Sequence, residues 1–446
     1  MKFTKMSLVA ALLIGSSAFA LENVKVSGDA NLFYNTTDGA SGYDAVKGRT
    51  SGTLFSKDSS AADVAVNLNV SADLVKNDLV SISAGAGYTV LTTLGLENNL
   101  VSNVWAGSHT ATAPTGASYG KVLGGAKVEN ASWMKEAWVA ATAGKTTAKL
   151  GRMALDTPLA FTETWTAEEN TFEGAVLINQ DIPDTTLVGA YIGNGNGTET
   201  FGQNAQSAVQ KTYNLAVAPV VNANGDFTTY GTNGAYAAGV INNSWKPLTA
   251  QAWYYDVTQV ATAYWLQADL DASSLGAKGL TLGAQYSGVT AAASGSKEDN
   301  VYAVKLGYGM KDMFAASVAY SQTNKDGSLG FAGFNTATNT DVTNHSSTAQ
   351  SKLYTEAWWN YGFVTRTDTT AYNVTVTSPV NGLFDLGAYY TNADHNAAND
   401  AGDLQEVTLT ASKSFGPLDT TLAYINSTVG NGDNTNSVQV YAKLNF

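Results

Sequence analysis

Seven charged side chains gather between residues 149 and 173: Lys149, Arg152, Asp156, Glu163, Glu168, Glu169 and Glu173. They lie in AKLGRMALDTPLAFTETWTAEENTFEG, whose five acids occupy a stretch with neither the period of a strand nor that of a helix. Carboxylates held in a narrow, water-filled passage raise the local cation concentration, because low-dielectric walls focus their field. On an open surface the same acids would only solvate a loop. The chemistry therefore depends on where the rest of the chain puts this stretch.

Other reactive constellations are weak. Gly116-Ala117-Ser118-Tyr119-Gly120 matches the G-x-S-x-G nucleophile pattern but lacks the strand and helix that such a turn requires. His109, His345 and His395 occur singly, without H-E-x-x-H spacing. Asp394, Asp400 and Asp403, or the run Gly430-Asn431-Gly432-Asp433-Asn434, offer oxygen ligands without the spacing of a calcium loop, and Gly/Asn-rich turns explain them. Gly193 to Gly197 lacks the lysine and following helix of a phosphate loop. Neither an enzyme nor a metal or other cofactor is expected. A formal charge of −13 argues against nucleic acid as a partner and favours cations.

The elements that must position the acidic stretch are strands. Residues 1–20 read as a signal peptide: Lys2 and Lys5, the apolar run SLVAALLIG, then Ala18-Phe19-Ala20 as an A-x-A cleavage site. Removing its two lysines takes the formal charge from −13 to −15. Residues 21–446 then form the functional unit. There charged residues are scarce for a soluble surface, at 14% of the whole chain, glycine is abundant and cysteine is absent. Alternation of period two dominates, as in Val80, Ile82, Ala84, Ala86, Tyr88 and Val90 against Ser81, Ser83, Gly85, Gly87 and Thr89. One face is apolar and the other small and polar, which suits a sheet between lipid and water.

Eight short connections, four of them with proline, alternate with nine mostly longer ones near 36–60, 92–131, 153–170, 194–233, 256–258, 290–299, 323–368, 392–403 and 428–436. Seventeen connections join eighteen strands. The pattern predicts an all-β fold, a transmembrane antiparallel β-barrel of about eighteen strands (sixteen if two short segments are misread), with short periplasmic turns and long extracellular loops. Thr355 to Thr365, with Trp358 and Trp359, is assigned to the seventh loop or to an extension of the next strand. Tyr34, Tyr88, Tyr191, Tyr264, Tyr286, Tyr308, Tyr320, Tyr372 and Tyr390 have outward parity and suit interfacial girdles. Lys25, Lys149, Lys305, Lys443 and Glu173 are assigned inward parity, so that a basic lumen wall faces the acidic loop.

LGRMALDTPLA, NTFEGAVL and DIPDTTLVGAYIGNG resemble the third-loop region of the porin D-like outer-membrane family and of the related Campylobacter-type major outer membrane proteins. The terminal Tyr441-Ala442-Lys443-Leu444-Asn445-Phe446 is similar too. The resemblance implies an eighteen-strand barrel in the bacterial outer membrane, often a homotrimer, whose third loop, about 153–170, folds inward as the constriction. It also implies passive diffusion of small polar solutes and ions without a cofactor. The lumen arginine ladder of some relatives is missing, since only Arg49, Arg152 and Arg366 are present. A general pore that mildly favours cations is the reading. The alternative is a surface adhesin or antigen that works through its long loops, especially 92–131 and 323–368.

Overall fold

The structure is a computed structural model that describes residues 22–38, 53–56, 59–92, 94–96, 100, 131–164, 167–197, 225–231, 233–337, 340–341, 346–347, 349–380, 382–396 and 403–446. The signal peptide, Arg49, His109, the Gly116–Gly120 motif, His345 and Asp400 lie outside the described residues.

Eighteen long strands follow one another. The first nine are β1 (Glu22–Thr37), β2 (Ser60–Lys76), β3 (Ser81–Thr92), β4 (Ala131–Ala143), β5 (Thr146–Met153), β6 (Phe172–Asn179), β7 (Thr185–Gly195), β8 (Ala235–Asn242) and β9 (Leu248–Val257). The rest are β10 (Ala261–Asp271), β11 (Leu280–Ala291), β12 (Asp299–Met310), β13 (Phe314–Thr323), β14 (Thr369–Val380), β15 (Phe384–His395), β16 (Leu404–Phe415), β17 (Leu418–Val429) and β18 (Thr435–Asn445). Each pairs antiparallel with its neighbour, and β18 returns to β1 over Asp29↔Asn445 to Thr37↔Ser437. The ring is closed, so no strand edge is left unpaired in a medium without water.

The outer face is an apolar belt. Leu150, Leu177, Leu266, Val304, Leu306 and Leu422 stand exposed on it, an arrangement that suits lipid. Tyrosines from adjacent strands meet at one level toward the long-loop rim, as in Tyr191–Tyr236 at 5.1 Å and Tyr320–Tyr372 at 5.2 Å between ring centroids. Tyr308 pairs instead with Phe314 at the short-turn rim, with centroids 6.2 Å apart.

The inner face has two regimes. Toward the short turns it is polar, with Asn69, Ser71, Thr147 and Asp269 on inward positions. Toward the long loops the polarity inverts. Phe172, Ile192, Val289, Val301 and Leu404 turn inward and are buried against Leu159, Phe331 and Phe334 from two connections that enter the barrel. The interior is therefore wet at one end and packed at the other.

Candidate functional site

The third connection, described over residues 154–164 and 167–171, leaves β5 and packs into the barrel through two successive turns. Pro158 sits in the first turn, where Thr157 N donates to Ala160 O at 3.2 Å and Thr157 Oγ1 donates to the same oxygen at 2.7 Å. Proline presets the backbone angle for such a turn. Asp156 bridges to Phe161 and Thr164 to Glu169. On one side Leu159 N donates to the Tyr255 hydroxyl on β9 at 3.4 Å. On the other, Asn31 Nδ2 of β1 donates to Ala167 O at 3.3 Å. Three strands lie between β5 and each of these anchors, on opposite sides, so the loop reaches across the lumen.

The seventh connection, described over residues 324–337, 340–341, 346–347 and 349–368, also enters the barrel and packs beside the third. Its residues Thr355 to Thr365 remain in the loop, ending in a short 3-10 turn at Phe363–Thr365, and do not extend β14. Inner-wall side chains hold this loop by its backbone. Glu406 on β16 accepts from Trp359 N at 3.0 Å, Asn360 N at 2.8 Å and Asn360 Nδ2 at 2.7 Å. Gln285 on β11 accepts from Tyr354 N at 3.0 Å and donates to Lys352 O at 2.8 Å. The Tyr354 hydroxyl donates to Asp269 on β10 at 2.6 Å. Its ring approaches the wall at position 283, which is glycine; a Cβ there would sit 2.6 Å from it.

The two loops are stitched to each other. Asn335 Nδ2 donates to Phe161 O and to Glu163 Oε1, both at 2.8 Å, while its Oδ1 accepts from Phe161 N at 3.1 Å. Thr336 N donates to Leu159 O at 2.9 Å. Gln350 N donates to Glu163 Oε1 at 2.9 Å. Such side chain-to-backbone bonds satisfy the irregular peptide groups that would otherwise be stranded inside.

The charged residues singled out by the sequence separate into three places. Asp156 lies on the third loop, its side chain 90% exposed and ion-paired with Lys352 of the seventh loop. Glu163 and Glu168 are buried within the loop packing, and Glu169 pairs with Lys135 of β4 at 2.8 Å. Lys149 does face inward, its Nζ 4.2 Å from the centroid of Trp138. So do Lys305, 4.0 Å from Asp269, and Lys443, 3.8 Å from Asp29, while Lys25 shares the inner parity beside Ser71. Arg152 and Glu173 are a correction. They pair across β5 and β6 at 2.7 Å, in line with Leu150 and Ala175 on the outer face, and Asn194 Nδ2 donates to Glu173 at 2.6 Å. The inward neighbours are Met153 and Phe172, because the interior is apolar at that height. Glu173 therefore faces away from the lumen.

Asn335, Glu356, Trp358, Glu406 and Tyr441 are the residues around these loops that the sequence reading missed. Glu406 carried a signal, as a lone acid at inward parity between Leu404 and Thr408. Glu356 accepts from Ser351 N at 2.9 Å, Ser351 Oγ at 2.6 Å, Ala357 N at 3.0 Å and Gly362 N at 3.3 Å. Burial nevertheless pushes its carboxyl up to about 7, against the lowering effect of these bonds. Tyr361 is raised well above its ordinary value, first by burial and then by Tyr441, Glu163, Glu356 and Glu406. Among the described residues no cluster could hold a metal ion.

Fold and site together define a large transmembrane β-barrel with two loops packed against its inner wall. No protein-family profile matches the chain, nor does any curated protein. Solved structures do match in fold. OccAB4 of Acinetobacter baumannii superposes with a TM-score of 0.67 at 11% identity, over 96% of this chain and 98% of that one. OccK8 (OprE) of Pseudomonas aeruginosa gives 0.66 at 15% identity, over 95% and 98%. The outer membrane protein OpdK of the same organism gives 0.66 at 12% identity, over 96% and 100%. The chain thus has the eighteen-strand barrel fold of these proteins.

Proposed function

We propose that the protein is a bacterial outer-membrane porin through which small hydrophilic solutes and ions diffuse passively, with a mild preference for cations. The observation that carries this reading is the closed barrel with an apolar outside, a polar inner wall at one end and a neck built by the third and seventh loops. About eighteen strands enclose an aqueous channel, whereas about eight leave room only for side chains. Asp156 places a carboxylate in the neck, and the acidic composition of the chain gives a field of the same sign. No step of catalysis is needed, since selection follows from width and fixed charge. The motif resemblance to porin D-like and Campylobacter-type proteins supports the same reading, including assembly as a homotrimer in the lipid bilayer.

Planar-bilayer recording of the purified protein under a salt gradient tests it. Stable open steps with a reversal potential on the cation side are expected. An anion-side reversal potential would refute the cation preference. Closed membranes from folded protein would refute the porin.

A further inference from the structure

A cavity of about 510 Å3 opens between the two inward loops and the wall made by β14, β15 and β18. Its lining is dominated by rings. Trp358 of the seventh loop meets Tyr389 of β15 and Tyr441 of β18, each at 6.3 Å between centroids, and Tyr354 and Tyr361 complete the enclosure. All five rings are only half-buried. Glu356 lies in the same lining, which contains no lysine or arginine. Glu406 holds the backbone of Trp359 and Asn360, the residues directly after Trp358.

We propose that this cavity is a binding subsite for organic cations with an apolar body, such as quaternary or aromatic ammonium compounds, which pause against Trp358, Tyr389 and Tyr441 as they cross the neck. The inference rests on the porin reading and deepens it. The face of an aromatic ring attracts a cation within about 6 Å of its centroid, tryptophan most strongly. This lumen already uses that contact: Lys305 Nζ lies 4.0 Å from the Tyr354 centroid and Lys352 Nζ 4.8 Å from that of Phe161. A solute carrying a carboxylate would meet negative ring faces and the Glu356 carboxyl, with no lysine or arginine in the lining to receive it. A neutral sugar would find rings, but the Tyr354 hydroxyl is committed to Asp269 at 2.6 Å and that of Tyr441 to Gln439 at 2.8 Å. The volume falls within the roughly 300–1,000 Å3 typical of small-molecule sites.

The test is single-channel recording at pH 8 with tetrabutylammonium chloride, sodium toluenesulfonate or maltose added to one side. Tetrabutylammonium is expected to produce discrete blocking events that the other two do not. Its apparent affinity should fall at least tenfold in Trp358→Leu and in Tyr389→Leu, and stay near the parent value in Trp358→Phe. Tyr389 lies on a strand, so its replacement keeps the test valid if the seventh loop of the tryptophan variant unfolds. Equal block by the anion or the sugar, or unchanged block in Tyr389→Leu, would overturn the proposal. Protein without conductance would overturn the porin reading instead. Calorimetric titration of the detergent-solubilised full chain with tetrabutylammonium then decides the subsite, binding supporting it and no binding refuting it.

Discussion

Replacing Glu406 with alanine should free the seventh loop from the wall while leaving the barrel intact. The carboxylate is 1% exposed and receives three hydrogen bonds from Trp359 and Asn360. Bonds to a charged acceptor contribute about 1.5–3 kcal/mol each, so the gross loss is roughly 4–9 kcal/mol. Lumen water would rehydrate the abandoned donors and recover part of it. A net weakening of about 4 kcal/mol shifts the docked-to-released equilibrium of the loop roughly a thousand-fold. None of the strand ladder bonds involves this side chain, so the folded, heat-modifiable band on a gel should persist. In a planar bilayer the variant should show higher mean conductance and fast current noise. Glu406→Gln, which keeps one acceptor oxygen, should fall between the two. An alanine variant with the step size and noise of the parent would refute the claim that this carboxylate holds the neck.

Four further outcomes are expected. Asp156→Asn should move the reversal potential toward zero without lowering the melting temperature, since its pair with Lys352 is exposed and such pairs contribute about 0–1 kcal/mol; an unmoved potential would take Asp156 out of the ion path. The Glu356 carboxyl, raised from its ordinary 4.5 to about 7, favours the packed loop most below about pH 4.5 and loses that contribution as pH rises through 7. Open-channel noise should therefore grow between pH 5 and 8 in the parent, and Glu356→Gln should flatten the profile; a parent trace independent of pH would contradict the assignment. Arg152→Ala should leave ion selectivity unchanged because the side chain faces outward, and a shifted reversal potential would return it to the lumen. Gly283→Val should displace the Tyr354 ring and release its bond to Asp269, seen as altered conductance with a folded barrel, while unchanged conductance would separate that ring from the neck.

The barrel was legible because strand period, turn residues and connection length are local signals, and all of them agreed. Outward parity at Tyr191, Tyr320 or Tyr372 could be read from immediate neighbours for the same reason. The neck was not local. Asn335 reaches Phe161 and Glu163 across more than 170 residues, and Glu406 meets Asn360 across 46. No period in the sequence marks such pairs. Glu173 was misread for a related cause. Apolar Phe172 suggested the lipid side, yet the loops make the barrel interior apolar at that height, and Phe172 packs there with Tyr230, centroids 6.3 Å apart. Polarity tells the two faces apart only where the lumen is wet.

The seam between β1 and β18 sets the order of events during biogenesis. Gly28 N donates to Phe446 O at 2.7 Å, and Phe446 N donates back to Gly28 O at 2.9 Å. The first and last strands of the ring are thus joined at Gly28 and Phe446 as well as along the seam. Until β18 has paired with β1, the sheet carries two open edges, each a template for the wrong partner. Contacts this distant in sequence are also the slowest to find, because the whole intervening chain must be ordered first. Loss of β18 would remove one strand of the wall. It would also remove the closure, and turn a ring into an aggregation-prone sheet.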